Sequence, residues 1–563
     1  DGSTFKPSYL NVPGTKPLSA LTIGQLMDIA VEKWKDREAI VSIYQGHRFT
    51  YSQVLDMADR LAASLMQMGM KHGDRLGIFG PNSSDWYISR LAAARGGFIA
   101  VQLDPAYQAP QLEFSINKVE IKVLISTEFY KSNNCYSLIQ TVVPELKNCS
   151  QVGAELTCSK VPSLKRIIMM SDKPYRGTYR LNDVINSAHP ELVKKIRDEQ
   201  CLIQPDDGCA IQFSSGTTGT PKGALLSHHN LVNNGYEYGK GILLMNYKDS
   251  KIALSTQFCH TSASLGGIIA SLWFGSTSVL PCPVFDGLKV LEGIIKEGCT
   301  HMLATPSLCV DMISKAKENG LKVTTLKCAA YGGAPCPQKL IMDFKETLNI
   351  EHLIPIYGMT EICFAFVARP EDSLQQRTTT VGHPIDHCEV KIVDKDGQMV
   401  PIGQPGELWI RGYNVMLEYW DDKEKTSQFI SPDRWGKTGD QFVLLEDGTA
   451  KIVGRVKDMI IRIADNIFPA EMEEFFIQHP DILECQVFGV PDPKVGEEIC
   501  AVLRLRDGVK LTEHDIKEYC KDKLPDYRIP RYICFIKDFP RSAIGKIQRS
   551  KVLEDVKKEL GIK

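Results

Sequence analysis

At 563 residues the chain is several times a typical domain length, so it can bury a sizeable core and must divide into more than one unit. Its 43% hydrophobic and 24% charged content and its formal net charge of -2 argue against nucleic acid as a partner and against a small stapled scaffold. The seventeen cysteines lack C-x-x-C pairs or metal-like spacing and read as reduced core thiols. The longest apolar run, 266–281, is broken by Ser271, Gly275, Ser276, Thr277 and Ser278 and is too short to predict a transmembrane helix.

Apolar residues at Val54, Leu55, Ala58, Leu61, Ala62, Leu65 and Met66 share one helical face, with Gly69 placed to end the helix. A strand at 76–79, a helix at about 85–95 and an apolar run at 98–101 follow, the strand–helix–strand rhythm of a parallel sheet with helical crossovers. This alternation continues to about residue 370. The texture then changes: 390–393 and 407–411 flank an Asp396-Gly397 turn, and Asp447-Gly448 sits between 442–445 and 450–453, which predicts a hairpin-rich β subdomain. Beyond Arg455, strands at 486–490 and 501–505 and a helical stretch at 513–523 predict a small α+β domain. The chain shows no internal repeat, heptad array or low-complexity tract.

The most informative stretch is Phe213-Ser214-Ser215-Gly216-Thr217-Thr218-Gly219-Thr220-Pro221-Lys222-Gly223, which follows the apolar run 209–213. Glycines let backbone N–H groups turn toward an anion, hydroxyls add donors, and the lysine adds charge: this is phosphate-binding chemistry. It is not a Walker P-loop, because Gly223 follows Lys222 where a serine or threonine would be needed. A flexible Gly/Ser/Thr loop is the bland alternative for such a composition. The full string resembles the signature loop of the acyl-adenylate-forming family, which comprises acyl-CoA synthetases, luciferases and the adenylation domains of peptide synthetases. The family's other motifs follow in order over nearly the whole chain.

The resemblance implies a role for each motif. Tyr331-Gly332-Gly333-Ala334-Pro335 is similar to the loop against which adenine packs. In Tyr357-Gly358-Met359-Thr360-Glu361 the family's aromatic ring stacks on adenine, the threonine meets the α-phosphate and the glutamate holds Mg²⁺ with Thr218. Thr438-Gly439-Asp440 resembles the ribose-binding tripeptide, with Arg455 adding a donor, and Lys457 matches the hinge. Gly545-Lys546-Ile547-Gln548-Arg549 matches the motif whose lysine reaches the carboxylate and α-phosphate, while Lys222 would serve the pyrophosphate side. His260, in Gln257-Phe258-Cys259-His260-Thr261, would line the acyl entrance, and Gly266 and Gly267 would leave room for an alkyl chain along one pocket wall. No protein nucleophile is required.

The implied architecture is α/β: an N-terminal domain, 1–455, of two αβ-layered subdomains plus the β-rich subdomain, followed by a small mobile α+β domain, 456–563. The implied substrates are ATP, a medium-chain fatty acid and CoA, with Mg²⁺ as cofactor and no nucleic-acid or membrane-spanning partner; the sequence carries no sign of the oligomeric state. The branch resembled implies a mitochondrial location, with the cytoplasm as the alternative. The chain departs from the family at two places. Ile463-Ala464 stands where the family has Gly-Gly on the loop bordering the pantetheine tunnel, and Glu418 replaces a glycine in the Met-Leu-Gly-Tyr-Trp string. The first departure leaves room for an enzyme that passes the adenylate to another acceptor or oxidises it. A binding protein that keeps the fold without turnover is the reading from a different class.

Overall fold

Thr50 opens the helix expected from the 54–66 stripe: its hydroxyl accepts from the Gln53 N–H and Gln53 bonds back to Thr50, so the helix runs Tyr51–Gln67, and Gly69, at φ +94°, follows it. The computed structural model describes residues 6–214, 221–334, 336–462, 465–492, 495–521, 523–525, 528–542 and 545–562, with backbone alone at 456, 461, 465, 466 and 496.

The alternating first two-thirds builds two large sheets. In one, Arg166–Met170, Ile121–Thr127, Arg75–Phe79, Ile99–Leu103 and Gly208–Ser214 lie side by side in parallel, and Lys222–Ser227 and then Glu418–Tyr419 add on antiparallel. In the other, Glu38–Ser42, Thr277–Leu280, Lys251–Leu254, His301–Ala304, Cys328–Gly332 and His352–Met359 are parallel, and Cys363–Val367 turns back antiparallel. The predicted hairpins form a five-stranded antiparallel sheet in the order Tyr9–Val12, Cys388–Val393, Pro405–Gly412, Gly436–Leu444, Ala450–Arg455. One apolar core that includes Ile78, Leu226, Ile354, Val390 and Phe442 joins all three sheets.

The last hundred residues have a sheet of their own, with Gly496–Leu505 at its centre, Ile482–Asp492 antiparallel to it at the edge and Tyr532–Phe535 joined to it in parallel, and two separate apolar clusters cover it. The fold is therefore a large N-terminal domain with a small C-terminal one. One place where the two meet is the start of helix Gln338–Thr347, where the Gln338 N–H donates to Glu474 Oε1 at 3.3 Å. All seventeen cysteines are free thiols, and among the described residues no helix is long and apolar enough to cross a membrane.

Parallel strands carry their functional loops at their carboxyl ends. Here those ends deliver Ser214, the 255–260 segment, Thr305, Gly333 and Thr360 toward one edge, on which the small domain sits.

Candidate active site

Glu361 lies in the single helical turn Thr360–Ile362 that reverses strand His352–Met359 into Cys363–Val367. The reversal is tight: a side chain on Gly358 would collide with the Cys363 carbonyl, and Cys363 itself adopts φ +52°. The Glu361 side chain is almost fully buried, and its Oε1 accepts from Ser214 Oγ at 2.7 Å and from the Tyr419 hydroxyl at 2.8 Å. No described ion pair uses this carboxylate. Burial and the adjacent Glu361 charge push the Tyr419 phenol far above its ordinary range, so it remains a donor. The Lys222 ammonium lies 4.8 Å from the centre of the Tyr419 ring and 3.5 Å from its hydroxyl. Strand Glu418–Tyr419 brings these groups together by pairing with Lys222–Ser227, Tyr419 opposite Ala224.

A second cluster forms around Asp440. Tyr357 donates its hydroxyl to Asp440 Oδ2 at 2.7 Å, and Arg455 Nε lies 3.2 Å from Oδ1 on the neighbouring strand, where Arg455 is the register partner of Asp440. Burial raises the Asp440 pKa, opposed by Arg455, the Tyr357 hydrogen bond and Lys546. The Tyr357 ring is fixed edge-on by Phe442, with centroids 4.8 Å apart, and by Phe366 at 5.9 Å. Gly333, at φ +80°, follows strand Cys328–Gly332 and is exposed; among the described residues a Cβ there would meet only Thr305 Cγ2, at 3.7 Å. Ala334, Met359 and Thr360 are partly buried around this corner. Lys457 is exposed on the short turn Val456–Asp458 that leaves the five-stranded sheet.

Lys546 comes from the small domain. Its side chain keeps accessible surface yet is surrounded by protein, as in an open cleft, and the loss of bulk water with the nearby Arg455 charge lowers its pKa to about 8; Asp440 and Asp458 oppose that shift and Lys457 adds to it. The Lys546 charge is also felt at His260, whose pKa falls mainly through burial and further through Lys546, with Asp104 opposing. Among the described residues the buried Nε2 of His260 has no hydrogen-bond partner. The segment before it is clamped by buried Asn82, which donates from its backbone to Gln257 Oε1 at 3.0 Å and from Nδ2 to the Thr256 carbonyl at 2.8 Å, and accepts from the Phe258 N–H at 2.6 Å.

The structure thus places Ser214, Lys222 and Glu361 in one cluster and Tyr357, Asp440 and Arg455 in a second. Lys546 lies within electrostatic reach of both the second cluster and His260. Ser215, Gly216, Thr217, Thr218, Gly219, Pro335, Ile463 and Ala464 lie outside the described residues. Gly266 and Gly267 differ from expectation. They sit in a wide π-type turn, 265–270, and their bare faces are already packed: a Cβ on Gly266 would lie 2.8 Å from Tyr238 Cε1, and one on Gly267 would strike Leu254 and come within 2.9 Å of Phe258. These glycines permit close packing of the segment that follows His260 and leave no open space on that side. Tyr419 was not singled out by sequence reasoning; its signal is its place in the Met416-Leu417-Glu418-Tyr419-Trp420 string.

Residues 27–420 match the AMP-binding enzyme family, and residues 471–546 match the AMP-binding enzyme C-terminal domain. The medium-chain acyl-CoA ligase ACSF2, mitochondrial, of Danio rerio is 38% identical over 99% of this chain and 92% of its own length. The putative acyl-CoA synthetase YngI of Bacillus subtilis is 33% identical over 95% of this chain and 96% of its own. Among solved structures, the anthranilate CoA ligase AuaEII with anthranoyl-AMP superimposes with a TM-score of 0.84 at 24% identity, covering 97% of this chain and 99% of that one. A fatty acyl CoA synthetase of Mycobacterium tuberculosis gives 0.69 at 25% identity, over 95% and 98%. The chain belongs to the AMP-binding family of acyl-adenylate-forming enzymes, among its AMP-forming acid–thiol ligases.

Proposed function

We propose that the chain converts a medium-chain fatty acid, ATP and CoA into acyl-CoA, AMP and pyrophosphate, in two steps. In the first, a carboxylate oxygen of the acid bonds to the α-phosphorus and the bond from that phosphorus to the α–β bridging oxygen breaks, releasing pyrophosphate. In the second, the CoA thiol loses its proton, its sulfur bonds to the acyl carbonyl carbon, and AMP leaves. The observation that carries this reading is Lys546: a single ammonium from the small domain interacts electrostatically both with the Asp440–Arg455 pair, proposed as the nucleotide corner, and with His260, proposed at the acyl entrance.

In this reading Asp440 accepts the ribose hydroxyls, Arg455 adds a donor, and the Tyr357 ring and residues 333–335 border adenine, with Gly358 and Met359 carrying the backbone past it. Thr360 meets the α-phosphate. Ser214 begins the phosphate loop, continued by 215–219, and Lys222 faces the departing pyrophosphate. Glu361 fits a cation, being a buried carboxylate with two neutral O–H donors and no described ion-pair partner. Magnesium is commonly held by one or two carboxylates together with nucleotide phosphates. Glu361 and Thr218 would hold it, and when bound it supplies neutralisation of phosphate charge. His260 borders the acid, and Lys457 is the hinge about which the small domain turns before thiol attack.

The medium chain length and a mitochondrial location are part of this proposal, supported by the relatives called mitochondrial medium-chain acyl-CoA ligases. A second reading, in which the adenylate goes to another acceptor, rests on Ile463-Ala464. The test pairs pyrophosphate release with acyl-CoA formation across saturated acids of increasing length. Acyl-CoA peaking at intermediate length supports the proposal. Pyrophosphate without acyl-CoA favours the second reading, and neither product from any acid leaves a binding protein.

A further inference from the structure

Lys546 sits on a turn of the small domain in which, among the described residues, the Ser542 N–H donates to the Lys546 carbonyl at 2.8 Å, the Gly545 N–H to the Ser542 carbonyl at 2.9 Å and the Gln548 N–H to the Pro540 carbonyl at 2.8 Å. Gly545 adopts φ +76°, and Arg541 and Ile547 form an isolated bridge across the turn. A lysine side chain is long and flexible, so such a turn needs an outside brace to aim it.

That brace is the Arg541 guanidinium. Its Nη2 donates to both oxygens of Glu484, each at 2.7 Å; Glu484 is a buried carboxylate on the edge strand Ile482–Asp492. Its Nη1 donates to the carbonyl of Gly545, the residue before Lys546, at 3.3 Å, and also to Ser307 Oγ. Ser307 belongs to the large domain: it lies in the first turn of helix Pro306–Glu318, which follows the parallel strand His301–Ala304. The Gly545 backbone passes close over that turn, since a Cβ built on it would lie 3.6 Å from Leu308 Cδ2 and 3.8 Å from Ser307 Cβ. One planar group therefore ties together the small domain's sheet, the lysine turn and the large domain. A lysine at 541, with a single ammonium, could not span these partners.

We infer that Arg541 is a positioning residue: with Ser307 as its partner on the large domain, it latches the small domain in the pose that presents Lys546 to the nucleotide corner, and it must let go before thiol attack. The inference rests on the reading of Lys546 as serving the first half-reaction. Glu484 keeps a second cation when the latch opens, Arg504 at 2.6 Å, so releasing Ser307 strands no buried charge. Ser307→Ala removes the hydrogen bond that Arg541 makes to the large domain and nothing in the small domain.

The experiment measures the two half-reactions separately in the full-length protein: single-turnover pyrophosphate release from ATP and decanoate, and acyl-CoA formation from synthetic decanoyl-AMP and CoA. The latch predicts that Ser307→Ala and Arg541→Lys each slow the first about tenfold, the equivalent of one charge-assisted hydrogen bond. The second should stay within about twofold or rise, and the double variant should be no slower than Arg541→Lys alone, because both changes break one contact. Equal losses in both half-reactions, multiplying effects in the double variant, or an unchanged first half-reaction in Ser307→Ala would each overturn the latch. Lys546→Ala is the control: if it adenylates normally, the reading of Lys546 fails; if it does not while Ser307→Ala does, the latch alone fails.

Discussion

The Asp440 corner and the Lys546 turn serve the same cleft but are built in opposite ways. Asp440 is held from one side by Arg455, its register partner on the next strand of the same sheet, and from the other by Tyr357, itself wedged between Phe442 and Phe366. Folding of the large domain alone completes that corner. Lys546 arrives from a different domain on a short turn, and its charged form is penalised by the cleft it enters. On the proposed reading the contrast separates two jobs: a preorganised corner would hold nucleotide whether or not the small domain is docked, whereas the cation proposed to meet charge on the α-phosphate would be present only in one pose.

Four changes break or sharpen that contrast. The largest effect is expected for Lys546→Ala, which should lower adenylation about 10²–10³-fold, the usual range for one preorganised charge-stabilising donor. ATP binding, measured by calorimetric titration, should change only a few-fold; an equal loss of binding would erase the distinction. Asp440→Ala should do the reverse, weakening ATP by about 10–100-fold through lost charge-assisted hydrogen bonds to ribose. Its readout is KM for ATP against kcat, with KM carrying most of the change. Tyr419→Phe removes one of two donors to Glu361 while keeping the ring under Lys222, and adenylation should fall about three- to tenfold, with a higher Mg²⁺ concentration needed for half-maximal rate.

The smallest effect is that of pH. A lysine pKa lowered to about 8 means that the ammonium is present below that value and lost as pH rises through it, so kcat/KM for ATP should be halved near pH 8 and fall further above it. Bound phosphates stabilise the ammonium, so the same limb in kcat should lie at higher pH. Lys546→Arg should remove the limb from both profiles; its persistence would assign it to another group.

The parallel-sheet rhythm and the hairpins were legible because they are local. Strand–helix alternation and the Asp396-Gly397 and Asp447-Gly448 turns are written in neighbouring residues, and each predicted hairpin formed where expected. Boundaries were less so: the 513–523 helix stops at Cys520, where Lys521 turns extended ahead of Pro525. At the site, contiguous strings point to Asp440, Glu361 and Lys546. Tyr419 escaped notice because what makes it matter is distant in the chain: Glu361 is 58 residues away and Lys222 is 197. Arg541 and Ser307 are 234 apart. Gly266 and Gly267 were misread for the same reason, since the space a missing side chain leaves is filled by Tyr238, Leu254 and Phe258, which no local pattern announces.

The most direct test of the central claim follows an oxygen atom. Decanoate labelled in both carboxylate oxygens with ¹⁸O is turned over once with ATP and CoA, and the products are weighed by mass spectrometry. Attack of the carboxylate on the α-phosphorus predicts one ¹⁸O in AMP, one retained in the thioester carbonyl and none in pyrophosphate. Label in a product derived from the β- or γ-phosphate, or AMP without label, would contradict an acyl-adenylate and with it the roles given to Asp440 and Lys546.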